Sequence, residues 1–128
     1  MFNRKDKHTI DSLIGVSTTI EGDLHFKGGL RIDGQVKGNV IADPNSSSML
    51  VISEQAKIDG EVRASHIVVN GEINGPVFSS ELLEVQPKAR ISGDVHYKAL
   101  EMMNGALVAG KLGHEQLAEP MLKLAASN

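Results

Sequence analysis

The 128-residue sequence predicts an all-β fold in which one chain winds into a β-helix, or solenoid, of about six coils with flexible termini. The first observation is a repeat: one pattern of apolar, small and glycine residues begins at each of positions 14, 30, 52, 67, 85 and 102. The second is its length, which averages 17.6 residues, the distance from 14 to 102 divided by five. A fixed period indicates stacked repeats, and about 17–18 residues suits one coil with three short faces better than a pair of helices.

The third observation is the alternation inside each copy. Positions +4, +6, +8 and +10 from the opening residue share one parity and hold a small residue, an apolar residue, a glycine and an apolar residue. In the copy that opens at Val85, these are Ala89, Ile91, Gly93 and Val95. The residues between them are mostly polar, which predicts strands with one buried and one solvated face. A β-sandwich with glycine turns is the alternative, but it has no reason to keep one register through six copies.

Glycine occupies the +8 position of every copy. The six residues are Gly22, Gly38, Gly60, Gly75, Gly93 and Gly110. We expect them to be structural glycines near the corners of the coils. There, either the inward side has no room for a branched side chain or the backbone needs a positive φ.

Residues 1–13 precede the repeat and are expected to form a flexible N-terminal segment. The segment joins an apolar tip to several cations. The residues that would contact a membrane are Met1, Phe2, Arg4, Lys5 and Lys7. An apolar tip beside cations can bind an anionic membrane surface weakly, and a frayed chain start is the alternative.

The repeats define one domain over residues 14–112. A polar insertion, Asp43–Ser48, reads as a surface loop between the second and third copies. Pro76 and Pro87 must lie at corners or outside the hydrogen-bonding positions of strands. Residues 113–128 lack the pattern, and we expect a disordered tail. The alternative is a short helix that caps the rod through Leu117, Met121, Leu122 and Leu124.

Composition argues against several classes of function. The net charge of −3, with three Phe, one Tyr and no Trp, does not favour a nucleic-acid partner. The chain has no cysteine and no apolar run typical of a secretory signal, so we expect a cytoplasmic protein. His25, His66 and His96 should point outward and share no coil offset, so no metal site is predicted. We also expect no nucleotide, no cofactor and no catalytic residues, since the glycines follow the coil period rather than forming a phosphate loop.

The motifs resemble those of a known family, the bactofilins. The opening of the domain is similar over Ser12–Gly15, Thr19–Leu24 and Leu30–Val40. Together with the later Ala-x-Ile-x-Gly-x-Val copies, the resemblance covers about residues 12–112. It implies a right-handed β-helix that polymerises end to end into filaments without nucleotide. It also implies a bacterial cytoskeletal scaffold that often binds the inner membrane through a short N-terminal segment, positions cell-wall enzymes and influences cell shape.

The last copy is the predicted polymer interface. Its outward residues Leu107 and Ala109 are apolar, where the copy that opens at Ile52 has Lys57 and Asp59. An open strand edge flanked by apolar side chains favours addition of a strand from another copy. The expected contact residues are Met102, Leu107, Val108 and Leu112. If like ends meet, each contact is two-fold symmetric and the filament has no polarity. In bactofilins, the position of Val108 often holds a Phe that contributes to the end contact.

Two other functions compete with a scaffold polymer. One is an enzyme on a left-handed β-helix, either a hexapeptide-repeat acyltransferase or a carbonic-anhydrase-like protein. That function requires a strict six-residue ladder, an active-site loop and a histidine facing a cleft between chains. The other is a capped, monomeric β-helix that serves as a binding module.

Overall fold

The computed structural model describes residues 9–114, and these residues form the predicted β-solenoid of six coils. All pairs of neighbouring strands are parallel, as stacking of successive coils requires. The predicted membrane-contacting residues at positions 1–7 lie outside the described residues. So do the apolar residues of the predicted capping helix, from 117 to 124.

Sixteen short strands build the six coils. Coils 1 and 2 contain β1 (Ser12–Ile14), β2 (Thr19–Glu21), β3 (Leu24–Phe26), β4 (Gly29–Ile32), β5 (Gln35–Lys37) and β6 (Val40–Ala42). Coils 3 and 4 contain β7 (Met49–Ile52), β8 (Lys57–Asp59), β9 (Val62–Val69) and β10 (Glu72–Asn74). Coils 5 and 6 follow with β11 (Val77–Val85), β12 (Arg90–Ser92), β13 (Val95–Tyr97), β14 (Ala99–Met102), β15 (Leu107–Val108) and β16 (Leu112–His114).

The strands stack into three faces. Face 1 consists of β1, β4, β7, the second halves of β9 and β11, and β14. Face 2 is the six-stranded sheet of β2, β5, β8, β10, β12 and β15. Face 3 consists of β3, β6, the first halves of β9 and β11, β13 and β16. The two long strands β9 and β11 run from face 3 into face 1 and join these faces in one ten-stranded sheet.

The core is a set of ladders, in which residues at the same position of successive coils stack on one another. The ladder inside face 2 contains Ile20, Val36, Ile58, Ile73, Ile91 and Val108. Its four middle members are at most 2% exposed, whereas Ile20 and Val108 at the ends are only partly buried. Full burial of such a side chain contributes about 1.5–3 kcal/mol, so a coil gains its full stability only with a neighbour on each side.

The corner between faces 1 and 2 is longer in some coils than in others. One part of the predicted alignment is therefore wrong. In coil 3 the corner is a turn in which the N–H of Ala56 donates to the carbonyl of Ser53 at 2.9 Å. Coils 2 and 4 use two residues fewer. Consequently, Ile32 and Val69, rather than Leu30 and Ile67, are the residues that align with Ile52.

The tight corners consist of Asp33-Gly34 and Asn70-Gly71. A Cβ on Gly34 would overlap the carbonyl oxygens of Gly15 and Thr18 in the coil below. The tight corner therefore requires glycine, whereas the longer turn accepts Ala56 at the same small position. The +6, +8 and +10 positions lie in the predicted register throughout.

Five of the six +8 glycines, all except Gly110, have the positive φ that was one of the two expected reasons for glycine. The crowding at this position has a different source from the core side chains. In the five later coils, a Cβ at this position would overlap the backbone of the coil below, not a core side chain. On Gly93 it would overlap the carbonyl oxygen of Gly75, and on Gly60 that of Gly38. Gly22 in coil 1 has no coil below it, and a Cβ there would meet nothing within 4 Å. Its φ of 125° instead lies in the region that favours glycine.

The residue after each of these glycines helps to join the coils. Asp23 accepts a hydrogen bond from the N–H of Asn39 at 3.0 Å, and Asn39 accepts one from the N–H of Glu61 at 2.8 Å. Above Glu61 the position is held by Pro76, which has no N–H to satisfy. Pro76 thus lies at a corner between β10 and β11, and Pro87 lies in a turn after β11, as the sequence predicted.

We expect Gly93→Val to lower the free energy of unfolding by roughly 1–3 kcal/mol, because its side chain would push two coils apart. The measurement is a thermal or denaturant melt followed by circular dichroism. Gly15→Val is the matched control, since a Cβ there meets nothing within 4 Å and the φ of Gly15 is not positive. A Gly93→Val midpoint equal to that of the wild type would contradict the backbone contact.

Candidate assembly surfaces

The two ends of the solenoid have open strand edges. Within residues 9–114, β1, β2 and β3 of coil 1 each pair with a strand on one side only, and so do β14, β15 and β16 of coil 6. Their outer edges present backbone N–H and C=O groups to whatever lies beyond the rod. Such edges recruit further strands unless the fold blocks them.

At the C-terminal end, each of the three faces finishes in an apolar side chain that no other part of residues 9–114 covers. Met102 ends the inward ladder of face 1 and is 42% exposed, and Leu112 ends that of face 3 and is 46% exposed. Val108 ends the ladder of face 2 and is partly buried against the core. Leu107 points outward from face 2 and is 59% exposed. The four predicted contact residues therefore lie together on the last coil.

The N-terminal end has an equivalent surface, for which the sequence analysis named no residues. Ile14, Ile20 and Leu24 are the partly buried first members of the three inward ladders. Ile10, Leu13 and Val16 are exposed around them. The same ladder logic, applied to the first copy, would have found these residues.

Exposed apolar side chains are concentrated at these two ends. Among residues 9–114, the exposed large hydrophobic residues all belong to the first coil, to the last coil or to the segment just before the first coil. They are Ile10, Leu13, Val16, Met102, Met103, Leu107 and Leu112. Repeat proteins that remain monomeric cover their terminal repeats with a polar surface, and the described part of this chain does the opposite at both ends.

The three predicted surface histidines have different surroundings. His25 is exposed, as expected. The ring of His96 stacks on that of Phe78 with a centroid separation of 4.6 Å. The Arg63 guanidinium lies over the same Phe78 ring, 3.9 Å from its centroid. The Nε2 of His66 lies 2.6 Å from a carboxylate oxygen of Glu84. Glu84 thus contacts His66, and Glu61 accepts a hydrogen bond from Arg63.

The corner where the Asp43–Ser48 insertion leaves the coil forms a groove of about 420 Å³. Its charged lining residues are Asp43 and Arg63, and no histidine lines it. The buried serines below it bond to one another, with Ser48 and Ser65 hydroxyl oxygens 3.2 Å apart. Ser79 donates to the carbonyl of Ser65 at 2.8 Å. This network ties the insertion to coils 3 and 4.

Asp33 has a lowered pKa. The Ser53 hydroxyl donates a hydrogen bond to its carboxylate, and this bond lowers the pKa of Asp33 below the usual range. Burial opposes the shift, while the Arg31 guanidinium, whose Nε lies 2.9 Å away, reinforces it. Asp33 thus remains ionised and joins Arg31 in coil 2 to Ser53 in coil 3.

No group of three or more His, Cys, Asp or Glu side chains between residues 9 and 114 is arranged to hold a metal ion. In the same residues, no helix is long and apolar enough to cross a membrane.

Within residues 9–114, the chain is a β-solenoid of parallel coils with apolar side chains exposed at each end. A family model described as "Bactofilin: Polymer-forming cytoskeletal" matches residues 12–113. The chain therefore belongs to the bactofilin family, as its motifs predicted, and the family is one of polymer-forming cytoskeletal proteins.

Relatives of known identity agree with this assignment. Bactofilin BacO of Myxococcus xanthus is 22% identical over 111 residues, which cover 87% of this chain and 85% of BacO. A cryo-EM structure of Thermus thermophilus bactofilin in double helical filaments superposes with a TM-score of 0.70 and 29% identity. That match covers 79% of this chain and 96% of the other. The solid-state NMR structure of the cytoskeletal bactofilin BacA gives a TM-score of 0.69 at 30% identity, covering 81% and 95% of the two chains.

Proposed function

We propose that this bactofilin is a non-enzymatic scaffold whose subunits join end to end into non-polar filaments without nucleotide. The filaments lie on the cytoplasmic face of the inner membrane and position cell-wall enzymes or influence cell shape. The observation that carries the proposal is the pair of uncovered ends, where every inward ladder stops at an apolar side chain. Membership of a polymer-forming family supports it.

Joining two C-terminal ends would complete the core. Met102, Val108 and Leu112 each gain the neighbour that inner members of their ladders already have. Full burial of an aliphatic side chain contributes about 1.5–3 kcal/mol, and backbone hydrogen bonds across the joined edges add to it. The same forces hold coil on coil within a subunit, so assembly requires no nucleotide.

Contacts between like ends give the filament its symmetry. A contact of two C-terminal ends is two-fold symmetric, and so is a contact of two N-terminal ends. With both contacts present, successive subunits point in opposite directions along the filament, so the filament has no polarity. The Thermus thermophilus relative forms double helical filaments, which supports the further proposal that filaments of this chain associate side by side.

We place the membrane contact in the N-terminal segment. Met1 and Phe2 supply the apolar tip, and Arg4, Lys5 and Lys7 supply the cations. One such tip binds weakly, but a filament carries many tips on one surface, and multivalent binding strengthens the attachment.

We expect Val108→Arg to shorten the filaments to soluble rods, because the joint would then bury an unpaired charge or stay open. Filament length by negative-stain electron microscopy measures the effect. Leu107→Arg tests the same joint. The Leu107 side chain points outward and is 59% exposed, so this change leaves the core of the last coil intact.

Ser92→Arg is the control for this pair, because it adds the same charge to the exposed side of β12 in an inner coil. Circular dichroism must show retained β-structure in all three variants. Long filaments from folded Val108→Arg and Leu107→Arg proteins would mean that the C-terminal coil is not a joint.

Deletion of residues 1–7 should weaken binding to anionic vesicles and leave polymerisation intact, since the segment precedes the first coil. Co-sedimentation with liposomes is the measurement. Each protein is also spun without vesicles, which reports its polymerisation and corrects for filaments that sediment by themselves, and neutral vesicles control for charge. Equal lipid-dependent pelleting of the full-length and truncated proteins with anionic vesicles would reject the anchor.

A further inference from the structure

The outward side of face 1 departs from the polar pattern of face 2. Four of its positions in coils 3–5 hold apolar side chains, which are half-buried by their neighbours in the sheet. They are Met49, Val51, Val68 and Leu82. On face 2, the corresponding outward positions are charged or polar, for example Lys57 and Glu72. Face 1 therefore carries an apolar area on its outer surface.

One outward column of face 1 has an ordered sequence of charges. Read from coil 1 to coil 6, the column contains Leu13, Arg31, Val51, Val68, Glu84 and Glu101. A cation thus lies near one end of the column, valines lie in the middle, and carboxylates lie near the other end.

This order is self-complementary under a two-fold rotation. A two-fold axis that lies between the two faces, parallel to the strands and level with the gap between coils 3 and 4, brings coil 3 of one copy opposite coil 4 of the other, and coil 2 opposite coil 5. Val51 then faces Val68, and Arg31 faces Glu84. The adjacent column places Met49 opposite His66. In the same register, face 2 would place Lys57 and Glu72 at the centre, where both lose their hydration, whereas face 1 has valines at the centre and its charged pair one coil further out.

The side chains of the two charged positions can accept this arrangement. Arg31 contacts Asp33 through Nε, and its guanidinium offers five N–H donors in all. Glu84 contacts His66 through one carboxylate oxygen, and an ionised carboxylate accepts several hydrogen bonds. An Arg–carboxylate contact on each side of the apolar centre would attract the two copies and fix the register between them.

We propose that face 1 is a lateral docking surface for a second copy of this chain, packed antiparallel with Val51 against Val68 and Arg31 beside Glu84. The inference deepens the proposed function, because it assigns the surface by which filaments would pair. Subunits alternate in direction along a non-polar filament. If two filaments lie side by side with an offset of one subunit, every subunit therefore faces an oppositely directed subunit of the other filament. The many repeated contacts then reinforce one another.

Charge reversal tests the contact. Wild-type filaments, scored as paired or single by electron microscopy, should be mostly paired. Arg31→Glu and Glu84→Arg should each leave single filaments of unchanged length, because each places like charges opposite each other. The double variant Arg31→Glu/Glu84→Arg should restore pairing, since the two-fold contact joins these same two positions. Lys37→Glu reverses an exposed charge on face 2 and should stay paired.

The outcomes separate this inference from the proposed function. Single filaments in the wild type, paired filaments in both single variants, or failure of the double variant to restore pairing would each overturn the antiparallel contact. Absence of filaments from the wild type would instead contradict the end-to-end joints. Loss of filaments from the reversed variants alone would assign Arg31 and Glu84 to those joints and so overturn the lateral surface.

Discussion

The structure depends on one constraint, which is that the backbone of each coil forms its hydrogen bonds with the coils above and below it. The N–H of Val62, for example, donates to the carbonyl of Pro76 in the next coil at 3.0 Å. Because coils must approach this closely, a Cβ at Gly60 or Gly93 has no room. The same constraint makes the first and last coils incomplete. A residue pattern that specifies stacking thus also specifies two surfaces that can continue the stack.

The sequence predicted the solenoid, its three faces and the inward ladders, because parity and period survive in every copy. It misplaced the opening residues of coils 2 and 4, since a corner shortened by two residues preserves parity and leaves Leu30 and Ile67 apolar and inward. Handedness came from the family resemblance, because spacing alone does not distinguish the two hands. The glycine positions were evident from the repeat, but their cause lay in contacts between coils that one copy of the pattern does not contain.

The candidate surfaces were predictable to different degrees. The C-terminal end could be found because Leu107 replaces the polar residues of earlier copies. The N-terminal end was missed, since Ile14, Ile20 and Leu24 look like ordinary inward residues until the missing neighbour is considered. Contacts of outward side chains, such as Phe78 on His96, depend on the register between coils, and their partners are 18 residues apart in sequence. The proposed end-to-end assembly would therefore use the same ladders as folding.

A helical reconstruction of filaments grown from purified protein without nucleotide tests this account most directly. The account predicts one strand spacing of about 4.8 Å that continues through both kinds of joint, with two-fold axes where C-terminal ends meet and where N-terminal ends meet. Each subunit of six coils should then add roughly 29 Å to the filament. A polar filament with a C-terminal end on an N-terminal end, or growth only after nucleotide is added, would contradict it.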